Sequence, residues 1–280
     1  MLELALYSVA FLLLCIASYS DFRTREVPDW VNFSGIIFGI SARLLWSMQT
    51  GDWAVLGWGA LGFLVFFGLA CIMFYTGQWG GGDSKILMAL GALFGFAFAL
   101  DAFWLTFLLW CLLAGAGYGV LWSAWLAIKH WNNFAKEYSL LARKLRWAHL
   151  PTWGVFLLGF GFAIASDDET FRILMLITAL LVPVLFYLAL TVKAVEHACM
   201  YKLLPPDKLT EGDWIAKEIR YKGKYLCGPK DLGITKTQIQ ELKKLKIKNV
   251  LVKEGIPFAP TFLIAFVLAL ALGSPLAWFV

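Results

Sequence analysis

Eight long apolar runs, separated by short polar segments, limit this chain to very few folds. They cover residues 1–20, 30–48, 53–76, 85–100, 103–128, 151–165, 171–192 and 257–280. A helix that crosses a bilayer needs about twenty apolar residues. Only helices and closed barrels satisfy their own backbone groups in lipid. Barrel strands would show alternating segments of about ten residues, whereas these runs are continuous. Composition agrees: 60% of the 280 residues are hydrophobic and 15% charged, with 14 Trp and 23 Phe. Soluble domains are nearer half apolar and a quarter charged. The fold class expected is therefore an all-α polytopic membrane protein of about eight transmembrane helices.

Punctuation between the runs supports this division. Pro28 disfavours helix at the residue before it and suits a fresh helix start. Residues 85–128 as one helix would far exceed a single crossing, so a turn is placed at Asp101. Arg43 lies near the end of its run, where it is expected to snorkel to the headgroups. The first twenty residues lack a basic start and carry Glu3, so they read as a span and not as a signal peptide.

Residues 194–256 break the pattern and read as a small water-soluble α/β insert before the last helix. This gives a membrane domain over 1–193, the insert, and a final helix over 257–280. Within the insert, 218–226 reads as a strand or hairpin. Thr235-Lys236-Thr237-Gln238 fits a capping box with Thr at N-cap and Gln at N3. Ile239, Leu242 and Leu245 line one face of a short Lys-rich helix, and residues 247–253 alternate as a strand does.

Charge and cysteine usage exclude several functions. All Lys and Arg residues except Arg43 and Arg172 lie in segments 21–29, 77–85, 129–150 and 193–256. These segments share one membrane face if the N-terminus is outside, and the positive-inside rule makes that face cytoplasmic. No basic patch with interleaved aromatics points to nucleic acid. The five cysteines (Cys15, Cys71, Cys111, Cys199, Cys227) form no CxxC pair, so neither a zinc site nor a disulfide framework is indicated.

Chemistry concentrates in the polar island Gly80-Gly81-Gly82-Asp83-Ser84-Lys85 between two apolar runs. Its glycines are expected to free the backbone for unusual dihedrals and close approach. In the plainer reading, Asp83 or Ser84 simply caps the next helix. A second carboxylate, Asp21, falls just past the first span on the same face. Two carboxyls brought together share a proton: one activates water while the other polarises a carbonyl. Such a pair needs neither metal nor cofactor. Asp52, Asp101, Asp167 and Asp168 fall on the opposite face and are excluded. Asp29 beside Pro28 reads as the cap of the second helix.

Asp21, then Val27-Pro28-Asp29 and Asn32, resembles the D…[IV]-P-[DN]…N segment of the type IV prepilin peptidases. Residues 80–95, beginning Gly80-Gly81-Gly82-Asp83-Ser84-Lys85, resemble that family's G-x-G-D-x-K segment with its trailing glycines. The resemblance covers residues 1–100, and the segment from Gly255 through Ala265 looks like the closing helix of the archaeal preflagellin peptidase branch. It implies a GxGD aspartyl endopeptidase in the cell membrane that removes the basic leader of type IV pilin-like or archaellin precursors at the cytoplasmic face. It also implies Asp21 and Asp83 as the catalytic pair, with Gly80, Gly82 and Lys85 as supporting residues. Bacterial relatives that N-methylate their products carry CxxC pairs, so no methyltransferase activity is expected here. A presenilin-like protease is disfavoured because Ser20, not Tyr19, precedes Asp21 and no Pro-Ala-Leu motif occurs. An ion-coupled transporter is disfavoured because both aspartates sit at helix ends and no internal repeat is visible.

Overall fold

The computed structural model describes residues 1–278. The helices are α1 (Leu2–Thr24), α2 (Asp29–Thr50), α3 (Ala54–Tyr75), α4 (Gly81–Phe94), α5 (Phe103–Lys129), α6 (Trp131–Lys144), α7 (Arg146–Ala165) and α8 (Glu169–Cys199). There follow β1 (Tyr201–Leu204), β2 (Trp214–Ile215), β3 (Ile219–Tyr221), β4 (Lys224–Cys227), α9 (Lys236–Lys244), β5 (Val250–Lys253) and α10 (Ala259–Leu272). The chain divides into two compact units, one of residues 1–119 with 203–280 and the other of residues 120–202.

Among the described residues six helices, not eight, are long and apolar enough to cross a membrane: α1, α2, α3, α5, α7 and α8. Two of the expected spans are shorter than their apolar runs. The fourth run yields α4, whose 14 residues reach about 21 Å at 1.5 Å per residue, short of a hydrocarbon core of roughly 30 Å. Gly95 ends it with a φ of 71°, a conformation that costs glycine little. The last run is α-helical from Ala259 to Leu272, broken by Gly273 with a φ of 66° and followed by a 3-10 turn at Pro275–Trp278; its residues 279–280 lie outside the described residues. The sixth run is longer than expected, because α7 begins at Arg146 and carries Pro151 inside it.

In the first unit α4 is the central element. Ile86, Leu87, Ala89, Leu90, Ala92 and Leu93 are all fully buried, while α1, α2 and α3 pack around it. Helix α1 contributes the stripe Leu6, Ala10, Leu13, Leu14 and Ala17, the spacing of one helical face. Phe94 closes the core, ringed by Tyr7, Phe66, Phe103, Phe107 and Phe266. Contact between α3 and α4 is backbone to backbone. A Cβ on Gly91 would stand 2.6 Å from the Gly62 carbonyl oxygen, and one on Gly62 would stand 2.5 Å from that of Gly91. Small residues at such crossings are the usual device where lipid offers no hydrophobic drive for helices to associate.

Arg43 does not snorkel. It is buried, its Nε donating to the Ala92 carbonyl at 3.3 Å and its Nη2 to the Leu93 carbonyl at 2.9 Å. Because α4 stops inside the bundle, its last carbonyls have no helical partner. A guanidinium supplies their hydrogen bonds and a favourable charge for the negative helix end.

The insert has its own small core, with Leu226, Cys227, Ile234, Leu242, Val250 and Val252 buried together. Strands β2 and β5 pair antiparallel, Trp214 opposite Lys253 and Ile215 opposite Val252. Strands β3 and β4 form a hairpin whose two turn residues, Lys222 and Gly223, have φ of 48° and 85°, as a type I′ turn requires. Thr235 and Gln238 make the capping box of α9. Residues 194–199, assigned from sequence to the insert, belong instead to α8.

In the second unit α6 is the amphipathic product of the basic segment 129–150. Its Phe134 and Leu141 are buried in a cluster with Leu190, Ala194 and Val195 of α8. Asp168 caps α8 by accepting a hydrogen bond from the Phe171 amide.

Candidate active site

The buried stripe of α1 runs on past Ala17 through Ser18 to Asp21. Asp21 therefore lies in the last turns of the helix and not past its end. Helix α1 continues to Thr24, and Arg25 closes it with a φ of 61°. Asp21 is 7% exposed, and its Oδ2 accepts a hydrogen bond from the Ala259 amide at 2.9 Å. Ala259 is the first residue of α10, where amides have no intrahelical acceptor. Asp21 thus meets the start of a helix 238 positions away in sequence, where a carboxylate is electrostatically favoured.

Asp83 is the third residue of α4, also at a helix start. Neither it nor Ser84 is the cap. That position is Gly80, with no side-chain capping bond, and the Ser84 hydroxyl donates back to the Gly80 carbonyl at 3.1 Å. The side chain of Asp83 is half-buried. The three glycines do not adopt unusual dihedrals. Gly80 is extended at φ −71° and ψ 166°, Gly81 and Gly82 are already helical, and the left-handed turn before them is taken by Gly77 at φ 69°. Nor are they sites of tight packing. A Cβ on Gly82 would stand 3.5 Å from Val27, and one on Gly80 would stand 3.8 Å from the Asp83 Oδ2, both ordinary distances.

The ends of α1, α4 and α10 converge, and the Asp21 and Asp83 carboxyls come near enough for their charges to act on one another. From α5, Tyr118 is within electrostatic reach of Asp21, and Cys111 of Asp83. Lys85, expected as a supporting residue of the pair, is engaged by a different carboxylate. Its ammonium pairs with the Asp29 carboxylate, tying the first turn of α4 to the first turn of α2. Asp29 is accordingly no cap; Pro28 holds that position. The excluded acids have structural tasks or lie exposed: Asp52 accepts from the Ala54 amide at the start of α3, and Asp101 is exposed. Among the described residues no cluster of His, Cys, Asp and Glu could hold a metal ion.

Two features of this site had no reading in the sequence. The Ala259 amide is backbone, and every residue except proline has one, so nothing in the sequence marks it. Asn32 stands in a recognised segment, but its complete burial depends on how α1, α2 and α4 pack.

Residues 8–127, which include both aspartates, match the type IV leader peptidase family. The chain resembles the type IV leader peptidases. Among curated relatives of this leader-peptidase stretch, the preflagellin peptidase of Methanococcus maripaludis strain C6 is 39% identical over 87 residues, 31% of this chain and 37% of the relative. That of Methanocaldococcus jannaschii is 41% identical over 80 residues, 29% of this chain and 34% of the relative. That of Methanococcus voltae is 33% identical over 87 residues, 31% of this chain and 37% of the relative. The match thus spans about a third of the length of each curated relative. No solved structure matches this chain.

Proposed function

We propose that the chain is a membrane-embedded aspartic endopeptidase with Asp21 and Asp83 as its catalytic pair. It removes the basic leader of archaellin or type IV pilin-like precursors at the cytoplasmic face. The observation that carries this reading is the convergence of two carboxyls from helix ends, inside the stretch that matches the leader peptidases. The three relatives named above are preflagellin peptidases, which supports an archaellin precursor as the first substrate to try.

In the proposed reaction the pair holds one proton. The ionised member draws a proton from water, which attacks the scissile carbonyl. The protonated member hydrogen-bonds the carbonyl oxygen as negative charge develops there. The hydrogen bond from the Ala259 amide suits Asp21 to the ionised role, and Asp83 then carries the proton. Supporting the cytoplasmic assignment, α4 is short but Phe96 just past it donates its amide to the Trp58 carbonyl near the start of α3, so the fourth run still carries the chain between faces and nearly all Lys and Arg fall on one of them. No methyl transfer accompanies cleavage.

The test is cleavage of a purified archaellin or pilin precursor by the protein in detergent, with the product's new N-terminus sequenced and weighed. The wild type cuts before the hydrophobic helix and leaves an unmethylated N-terminus. Asp21→Asn and Asp83→Asn each lower the rate by at least about a thousandfold, as expected for residues acting as a unit, with helical content unchanged. Either variant cleaving at the wild-type rate sinks the assignment.

A further inference from the structure

Asn32 on α2 is fully buried, and neither its amide nitrogen nor its carbonyl oxygen has a hydrogen-bond partner among the described residues. Ser18, Ser47 and Thr261 also have buried hydroxyls without partners. A hydroxyl on a helix keeps the carbonyl four residues back within reach of a small rotation. The carboxamide of Asn32 has no such local resort, and it offers two donors and one acceptor.

Its position follows from neighbouring contacts. Gly82 faces Val27, Lys85 pairs with Asp29, and a Cβ on Gly35 would stand 3.2 Å from that of Ala89. Helices α2 and α4 therefore run side by side from their first turns, with Asn32 set against the beginning of α4. That beginning carries Asp83. On the other side, Gly35 meets Leu13 of α1, and the same face of α1 reaches Asp21 two turns later. Asn32 is thus enclosed by the two helices that bear the aspartates. A buried amide without partners is destabilising, and an apolar side chain of equal size would suit this interior better.

We infer that Asn32 is a positioning residue of the aspartyl pair, its carboxamide anchoring an internal water that hydrogen-bonds the Asp83 carboxyl. Buried waters of this kind make about three hydrogen bonds to polar groups that would otherwise go unpaired. Asp21 does not need this water, since its own Oδ2 is engaged by Ala259. The role fixes the orientation of Asp83 and leaves substrate contact to other groups. It rests on the peptidase reading above.

The experiment compares Asn32→Leu and Asn32→Ser with the wild type, reading kcat, KM and thermal stability in detergent on one precursor. Asn32→Leu is expected to melt at or above the wild-type temperature while kcat falls about a hundredfold, the size of a misplaced catalytic group, with KM unchanged. Asn32→Ser, which keeps a hydroxyl and leaves room for a second water, is expected to restore most of the lost kcat. A wild-type kcat in Asn32→Leu overturns the inference. So does a variant that fails to fold or melts lower with activity falling in step, since the amide would then be a structural bond. A wild-type protein that cleaves no precursor instead sinks the peptidase reading, and this inference with it.

Discussion

At its C-terminal end α4 is packed against its neighbours backbone to backbone, with Gly91 on Gly62, a Cβ on Gly39 only 2.9 Å from the Ala92 backbone, and Arg43 on the last carbonyls. At its N-terminal end the same helix carries Gly80, Gly81 and Gly82 with no neighbour closer than ordinary contact. Both ends are glycine-bearing and both lie in a largely apolar bundle, yet their glycines do different things. Those near the C-terminus let helices approach, and any side chain there meets backbone. Those at the N-terminus would place a Cβ at ordinary contact distance from Val27, Phe74 or Asp83, so a side chain there clashes with no backbone.

Substitutions at the two ends can break this contrast. The largest stability effect is expected from Arg43→Met, which leaves two buried carbonyls without a donor and costs about 3 kcal/mol, measured by denaturant unfolding in detergent. Gly91→Ala comes next, because its methyl group is forced against the Gly62 carbonyl and Phe66; overpacking of this kind costs about 1–3 kcal/mol. At the N-terminal end, where a Cβ on Gly82 makes only ordinary contact with Val27, Gly82→Ala is expected to change stability by no more than about 0.5 kcal/mol while raising KM for the precursor. An equal loss of stability at positions 82 and 91 would erase the distinction drawn here. The smallest effect belongs to Lys85→Met. Its partner Asp29 is largely exposed, so the pair contributes less than about 1 kcal/mol, and kcat is expected to stay within a few-fold of wild type. A hundredfold loss of kcat there would return Lys85 to the pair.

The fold was legible where a feature is local. Apolar runs announced the helices, and Thr235 with Gln238 announced the start of α9. The alternation of residues 247–253 announced β5, which forms over Val250–Lys253. Span count was not legible, because hydrophobicity reports what can be buried and not what shields it. The run after Lys85 is apolar enough for lipid, but it is buried by other helices and stops after 14 residues. Arg43 misled for the same reason: near the end of an apolar run a guanidinium reads as reaching for headgroups, and only the early end of α4 supplies carbonyls to hold it.

In the candidate site, Asp21 and Asp83 were legible because basic segments put them on one face and each stands in a segment that resembles the leader peptidases, which Asp52, Asp101, Asp167 and Asp168 do not. The glycines were legible as residues, and their geometry was not: left-handed backbone falls at Gly77 and Gly95, on either side of the island. Lys85 was free to be assigned to the aspartates until the first turn of α2 brought Asp29 to it.

The sequence by itself determined that this chain is a bundle of apolar helices with a small mixed insert, and that two carboxylates stand at helix ends. Periodicity, length and polarity are properties of segments, and a segment carries them before it packs. Only the tertiary structure decided that α10 lays its first amide on Asp21, that Arg43 closes α4, and that Asn32 is fully buried. Those contacts join residues up to 238 positions apart. Their energies come from burial and hydrogen bonding, which exist only once distant segments have removed water from one another.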